Sequence, residues 1–442
     1  MPPAIAVVCP HSASTAPTLR RLSNGLTVIA EQMPVDAVNL NLWLRVGSAM
    51  ESDAINGMAH YLEHMIFKGS STLATGEFER RIEARGGVTN AATSQDYTNF
   101  FITTAPQDFA ALAPLQIELV MNPLLPEKAF EQERPVILEE IRRSDDNPRR
   151  RTFRHSMELA FERLPYRRVV LGPSAVIKSL TAQQMQEFHT YWYQPERITA
   201  VAVGNLPVEE LIATVSDGFD RALSQRQTPL PSRFSDANVY RSAPEAPFTQ
   251  IERRNQVDPT LQQARLVMSW RVPGLTNVEQ THALDVLASV LGRGRTARLV
   301  KALREEQQLV SGLSASNMTY WQQGVFSVAA QLPADNLTIV EAEIAEHIDR
   351  ICQEPITESE LQRVQTQVAN RYVFSSESPS DRAGLYGYYQ TLTGHLDHAL
   401  SYPQRIQNLT PQDIQAAAQK YLAPDAYGVL TVRPASDNPA SN

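Results

Sequence analysis

The segment from Gly57 to Gly69 contains the residues best suited to metal-dependent chemistry. It reads G-M-A-H-Y-L-E-H-M-I-F-K-G, so His60 and His64 are four positions apart and Glu63 lies between them. In an α-helix, residues i and i+4 leave the same face one turn apart. Two imidazoles in this arrangement can bind one zinc ion. Glu63 is on the same side of the helix, where it could hold a water molecule beside the metal.

The alternative for this segment is a buried amphipathic helix with two solvated histidines. Apolar residues between and around the histidines would seat such a helix in a core in either case. A catalytic zinc ion usually has three protein ligands and one open position, so a third ligand should exist. Candidates lie in E-Q-E-R-P-V-I-L-E-E, residues 131–140, on a predicted helix from Glu127 to Arg143.

With these motifs the chain resembles the pitrilysin/insulinase family of zinc peptidases, the inverted zincins, and most of all its mitochondrial processing peptidase branch. The family reads H-x-x-E-H and, about 75 residues later, a Glu preceded by E-R-x-V-I. The resemblance extends from about Leu22 to Pro434. It implies that Zn²⁺ is bound by His60, His64 and Glu140 and that Glu63 is the general base. It also implies that Glu133 supports the ligands from the same helix face as Glu140.

Two features of the second motif leave its geometry open. Pro135 lies between Glu133 and Glu140, where a proline removes one helix hydrogen bond and favours a kink. Glu139 competes with Glu140 for the ligand role. It would point about 100° away around the helix, so Glu140 is preferred.

Length and composition favour a soluble globular protein of more than one domain. The chain has 442 residues, 43% hydrophobic and 20% charged, and a net charge of −8 that argues against nucleic-acid binding. Two cysteines, Cys9 and Cys352, do not form a disulfide framework and favour a reducing compartment. The sequence contains no run of 18 apolar residues, so it predicts no membrane span. Its start does not resemble a signal peptide. We therefore expect a cytoplasmic protein with no membrane association and a disordered leader over residues 1–18.

The two halves of the sequence repeat one pattern. Leu180-Thr181 corresponds to Leu409-Thr410 at an offset of 229, and Trp43 corresponds to Trp270 at an offset of 227. We therefore predict an α+β fold of two similar halves, each a mixed, mostly antiparallel sheet with helices packed on it. The predicted domains are residues 19–220 and 248–435, and the polar, proline-bearing stretch 221–247 is the predicted linker.

The repeat is not symmetric at the predicted metal site. At an offset near 225, the three residues of H-x-x-E-H fall on Asp285, Ala288 and Ser289. The second half therefore lacks the metal motif. Because the scaffold does not require these side chains, their presence in the first half supports a genuine site there.

Two further segments gain predicted roles from the resemblance. Residues 88–94 and 97–104 read as a hairpin, and the first strand, with Asn90 and Ala91, matches the strand that pairs with substrate in the family. In the second half, Arg382 and Tyr389 match an Arg and a Tyr seven apart on one helix. The tyrosine hydroxyl could donate to an oxyanion and the guanidinium could hold a substrate carbonyl. Tyr386 and Tyr388 compete for the tyrosine role.

The resemblance implies a zinc metalloendopeptidase that cleaves unfolded or short peptides inside an enclosed chamber. The family builds this chamber from four such units, so a chain of two units should pair with a second chain. A homodimer is the simplest assembly, and a heterodimer with a related chain is the alternative. A non-catalytic structural subunit of the same family would be expected to have lost these residues. A different zinc hydrolase does not fit the two-copy architecture.

Overall fold

A computed structural model describes residues 16–226 and 243–435. The first half contains a six-stranded sheet in the order β1-β2-β6-β3-β5-β4. Only the β2–β6 pair is parallel. The strands are β1 Thr18–Arg21, β2 Thr27–Gln32, β3 Val38–Leu44, β4 Val88–Thr93, β5 Thr98–Thr104 and β6 Ile198–Gly204. Strand β4, which carries Asn90 and Ala91, is therefore an edge strand of this sheet.

The helices of the first half enclose one hydrophobic core. The metal-motif helix α1 is the first α-helix after β3 and buries Tyr61, Leu62 and Met65 in that core. Leu40, Leu42 and Leu44 of β3 reach the same core because alternate residues of a strand share a face. The helices are α1 Met58–Ile66, α2 Glu77–Glu83, α3 Pro106–Met121, α4 Glu127–Asp146, α5 Pro148–Ala160, α6 Ser174–Ser179, α7 Ala182–Trp192 and α8 Val208–Ser224.

The second half repeats this arrangement around a five-stranded sheet in the order β7-β11-β8-β10-β9. Its single parallel pair, β7–β11, corresponds to β2–β6. The strands are β7 Glu252–Val257, β8 Ala264–Pro273, β9 Gly312–Met318, β10 Gln323–Leu332 and β11 Gly428–Arg433. The α-helices are α9 His282–Gly292, α10 Leu337–Gln353, α11 Glu358–Phe374, α12 Pro379–Thr393, α13 Asp397–Gln407 and α14 Pro411–Tyr421. The predicted fold of two similar α+β halves is confirmed.

Observed elements extend past two of the predicted domain boundaries. Helix α8 continues to Ser224 and so enters the predicted linker, whose residues 227–242 lie outside the described part of the chain. Most of the predicted leader, residues 1–15, is also outside it, whereas Thr18 already belongs to β1. Among the described helices, none is long and apolar enough to cross a lipid bilayer.

The two halves are held together by a reciprocal exchange of helices. Helix α12 of the second half packs on β3 and β6 of the first sheet, and helix α5 of the first half packs on β8 and β11 of the second. Each of these two helices packs on the face of the sheet that the helices of that sheet's own half do not cover. Trp43 on β3, for example, faces Ala383 and Tyr386 of α12 rather than the core of the first half. The halves therefore bury each other's central strands.

Buried ion pairs accompany both exchanged helices. Arg382 of α12 pairs with Glu31 of β2 at 2.5 Å, and the Glu31 side chain is 1% exposed. On the other side, Arg151 of α5 pairs with Asp258 just after β7 at 2.5 Å. Because removing one partner would leave the other charge buried and unpaired, these contacts fix how each helix lies on its host sheet.

Glycines on α12 provide a test of this packing. A Cβ at Gly387 would lie 2.1 Å from the indole nitrogen of Trp43, whereas a Cβ at Gly384 would meet no atom within 4 Å. We expect Gly387→Ala to lower the free energy of unfolding by about 1–3 kcal/mol through overpacking. The matched variant Gly384→Ala should instead raise it by up to about 1 kcal/mol through helix propensity. Equal midpoints of thermal unfolding for the two variants would contradict the observed packing.

Candidate metal centre

Three side chains that the sequence singled out come together at one point. The Nε2 atoms of His60 and His64 lie 3.5 Å and 3.6 Å from Oε2 of Glu140. The two rings have centroids 4.9 Å apart. Within the part of the chain that the structure describes, this is the one group of three His, Cys, Asp or Glu ligand atoms close enough to share a metal ion.

The geometry of these three atoms fits zinc. Zinc bonds to nitrogen and oxygen of about 2.0–2.1 Å in a tetrahedron place neighbouring ligand atoms about 3.3–3.4 Å apart. The two observed nitrogen–oxygen separations are within a few tenths of an ångström of this value. These separations are too long for good hydrogen bonds, so the three side chains converge without satisfying one another's hydrogen-bonding atoms. Two imidazoles and one carboxylate are also a ligand set that zinc accepts.

The protonation of His60 suits metal binding. Burial, together with the neighbouring charge of His64, lowers the pKa of His60 to about 4. The ring is therefore neutral at pH 7, as a ligand must be. Its Nδ1 atom is buried and makes no hydrogen bond to any described residue.

A carboxylate behind His64 fixes the orientation of that ring. Nδ1 of His64 lies 3.0 Å from Oε1 of Glu133, so Nε2 is directed towards Glu140. Lys68 bonds the other carboxylate oxygen at 2.6 Å. Burial would raise the pKa of Glu133, but the hydrogen bonds from Lys68 and His64 outweigh it and lower the pKa. Glu133 therefore stays ionised and holds the ring, at the position where the resemblance implies a supporting carboxylate.

Helix α4 directs Glu133 and Glu140 towards the same site despite its internal proline. It runs without interruption through Pro135. Upstream of the proline, Tyr61 of α1 stacks on Phe130 with ring centroids 4.5 Å apart, and its hydroxyl donates to the Phe130 carbonyl. The competing Glu139 faces away and pairs with arginines 142 and 143.

Glu63 is held next to the three ligand side chains by a contact with the edge strand. Its Oε2 accepts a hydrogen bond of 2.5 Å from the hydroxyl of Thr93 on β4. Burial raises the pKa of the Glu63 carboxyl, and the Thr93 hydrogen bond opposes this rise. A raised pKa makes the carboxylate a better proton acceptor, which suits a general base.

The two predicted substrate-binding residues lie on the open edge of the first sheet. Strand β4 pairs with β5 on one side only, so its other side is free to pair with an added strand. Asn90 Oδ1 accepts a hydrogen bond of 2.9 Å from the backbone N–H of Ala91. A peptide that pairs with the Ala91 N–H must displace this side chain.

The second-half residues predicted to assist catalysis are not brought to this site within the chain. Helix α12 covers the opposite face of the first sheet from α1. The Arg382 guanidinium pairs with Glu31 and donates to the Ser376 carbonyl, and the ion pair holds it against the first sheet. Tyr386 is hydrogen-bonded to Glu31 and Tyr388 donates to the Thr319 carbonyl, whereas the Tyr389 hydroxyl makes no hydrogen bond to a described residue.

One supporting residue, Glu51, was missed by the sequence reasoning. Its carboxylate accepts hydrogen bonds from the backbone N–H groups of Gly57 and Ala59 at 2.8 Å and 2.7 Å. It therefore caps the start of α1 from six residues before Gly57. Burial raises the pKa of Glu51 to about 7, against the effect of these hydrogen bonds and that of Asn56. The only local signal is an acidic residue before a helix start, which is too common to identify it.

Comparisons with known proteins identify the family of this chain. The family model for Insulinase (Peptidase family M16) matches residues 26–174, and the model for the Peptidase M16 inactive domain matches residues 179–368. The two matches together cover most of the chain, and the boundary between them falls within the first half of the fold, before α7. The chain belongs to the M16 family of peptidases.

Individual relatives are similar over nearly their full length. An uncharacterized zinc protease of Mycobacterium tuberculosis is 27% identical over 427 residues, which are 96% of this chain and 94% of that protein. A zinc protease of Helicobacter pylori is 26% identical and covers 93% of this chain and 92% of its own. The crystal structure of a protease from Helicobacter pylori superposes with a TM-score of 0.86 at 24% identity, over 96% of this chain and 100% of that one.

The support of His64 by Glu133 can be tested through metal affinity. We expect Glu133→Gln to weaken zinc binding about 10–100-fold, because a neutral amide holds the ring less firmly and lowers its basicity. The control Glu139→Gln removes a carboxylate from the same helix that faces away from the ligands, and it should leave affinity unchanged. Competition with a chromogenic zinc chelator measures both. Similar affinities for the two variants would rule out the predicted role of Glu133.

Proposed function

We propose that this protein is a zinc-dependent endopeptidase that hydrolyses short or unfolded peptides. The observation that carries the proposal is the convergence of His60, His64 and Glu140 on one point, with Glu63 beside them. The names of the relatives as zinc proteases support it. A zinc ion bound there would supply a Lewis acid that polarises a peptide carbonyl and lowers the pKa of water.

Residues of the chain itself would bind the substrate and transfer the proton. A substrate strand would pair with the free edge of β4 near Ala91 and so lie beside Glu63. Glu63 would accept a proton from the attacking water and return it to the leaving amine. An edge strand can pair only with an extended chain, so peptides of a few tens of residues would be cut and folded domains would resist.

The roles of α12 would require a second chain. Because α12 of the same chain lies across the first sheet from α1, a Tyr389 that reaches this site would come from a partner. There its hydroxyl would donate to the oxyanion of the tetrahedral intermediate. The bound state of Arg382 favours a positioning role, in which it holds α12 in place through Glu31. We therefore propose a closed homodimer that resembles a processing peptidase, with a related partner chain as the alternative.

Separating metal binding from catalysis tests the proposed function. Glu63→Gln should retain zinc by elemental analysis and lose peptidase activity by about 10²-fold or more, because the amide cannot accept the proton. His64→Ala should lose both zinc and activity. Glu139→Gln, on the exposed side of α4, should behave as the parent. A Glu63→Gln variant with a near-parental rate on a chelator-sensitive peptide would exclude Glu63 as the base.

Mixing two inactive variants tests the site shared between chains. Glu63→Gln and Tyr389→Phe are combined, dissociated and reassociated. In a mixed dimer with shared sites, one site receives both lesions and the other receives neither. Random assortment makes about half the dimers mixed, so about a quarter of the parental activity should return. No recovery above the sum of the two variants, with subunit exchange demonstrated, would reject a shared site.

A further inference from the structure

The metal ligands open onto a cleft whose remaining charge is positive. This cleft, of about 490 Å³, is lined by His60, Glu140, Arg143, Asn147, Arg150 and Leu171. The single acidic side chain among them is Glu140, which is assigned to the metal. An adjoining hollow of about 580 Å³ shares Arg143 and Asn147 and adds Arg149 and Arg265, with Asp146 as its one acid.

The acids near these arginines are already occupied. Asp146 is bound by Arg142 at 2.7 Å, and Glu139 is bound by Arg142 and Arg143. Arg149 and Arg150 are exposed and form no ion pair with any residue that the structure describes. They thus present free guanidinium groups in a chain whose net charge is −8.

Mutual repulsion among the basic groups of the hollow agrees with this charge count. Burial lowers the pKa of Arg265, and the nearby charges of Arg149 and Arg151 lower it further, while Asp258 opposes them. The positive groups of the hollow therefore repel one another despite the presence of Asp258. A positive cleft concentrates ligands of the opposite charge.

The backbone fixes the distance between these arginines and the metal ligands. Arg143 is three residues after Glu140, so it lies on the same side of α4 about one turn further on. Asn147 then ends α4 and caps α5, because its side chain accepts from the backbone N–H groups of Arg149 and Arg150. The turn between two rigid helices thus places Arg150 beside the cleft at a set offset from Glu140.

We propose that this cleft selects peptides with an aspartate or glutamate close to the scissile bond, and that Arg150 is the main specificity-determining residue. The inference rests on the proposed peptidase function. A guanidinium can bind a carboxylate through two parallel hydrogen bonds, which a glutamine or lysine side chain cannot reproduce. Arg149 reinforces the selection as a neighbouring positive charge.

The test uses the zinc-loaded protein and a neutral peptide that it cleaves in a chelator-sensitive manner. The scissile bond is located by mass spectrometry. Each of the three residues on either side is then replaced in turn by Glu, Gln or Lys. We expect at least one position at which kcat/KM for Glu exceeds that for Gln and Lys by about tenfold or more at low salt. Screening at high salt should reduce the difference.

Variants then assign the preference to the cleft. Arg150→Glu should reverse it, so that Lys is favoured over Glu at the same position, while the Gln peptide is still cleaved. Arg149→Glu/Arg150→Glu provides the same test if the neighbouring arginine compensates in the single variant. Arg221→Glu makes an equal charge change on α8, which packs over β2 and α3 away from the cleft, and should preserve the parental ratio.

The possible results separate this inference from the proposed function. A parental protein that cleaves the Gln peptide but favours Lys, or favours neither charge, would overturn the specificity. So would an unchanged Glu-to-Lys ratio in both Arg150 variants. Absence of chelator-sensitive cleavage of every peptide would instead overturn the peptidase function, and the specificity with it.

Discussion

The contact between α1 and α4 is the constraint on which the candidate site depends. Glu140 comes 76 residues after His64, so nothing in the local chain can bring these ligands together. Stacking of Tyr61 on Phe130 and the hydrogen bond between their groups lock the helices together near one end. The side-chain contacts from Lys68 to Glu133 and from Glu133 to His64 then couple the two helices beside the ligands. A small rotation of α4 would separate Glu140 from both histidines. The geometry of the metal ligands therefore depends on how precisely α1 and α4 pack together.

The two halves show how one scaffold serves different purposes. In the second half the position equivalent to His60 is Asp285, which bonds Asn317 and Tyr402 at 2.9 Å and 3.0 Å. Burial raises the pKa of Asp285 to about 6, since the hydrogen bonds only partly offset desolvation. The same helix position therefore ties α9 to β9 and α13 instead of presenting a ligand. The scaffold tolerates both arrangements because the apolar face of each helix, not these residues, supplies the burial.

Exchange of α5 and α12 makes the halves mutually dependent. A sheet with helices on one face leaves its other face to be covered. Here each half covers its partner's sheet with a helix of equivalent position, and charged groups at the contact are paired across the boundary. The arrangement also gives the two faces of the first sheet different functions. The core side of the first sheet supports the metal ligands, while α12 occupies the other side.

The sequence by itself determined the local part of the site and the plan of the fold. The sequence predicts that His60, Glu63 and His64 share a helix face, because helix periodicity is a short-range signal. It also predicts two similar halves, because residues of the first half recur at a constant offset in the second. Contacts between distant segments were decided only by the tertiary structure. These include the cap of α1 by Glu51, the pairing of Arg382 with Glu31 and the unhindered course of α4 through Pro135. Each depends on which surfaces meet after folding, and residue type and spacing do not encode that information.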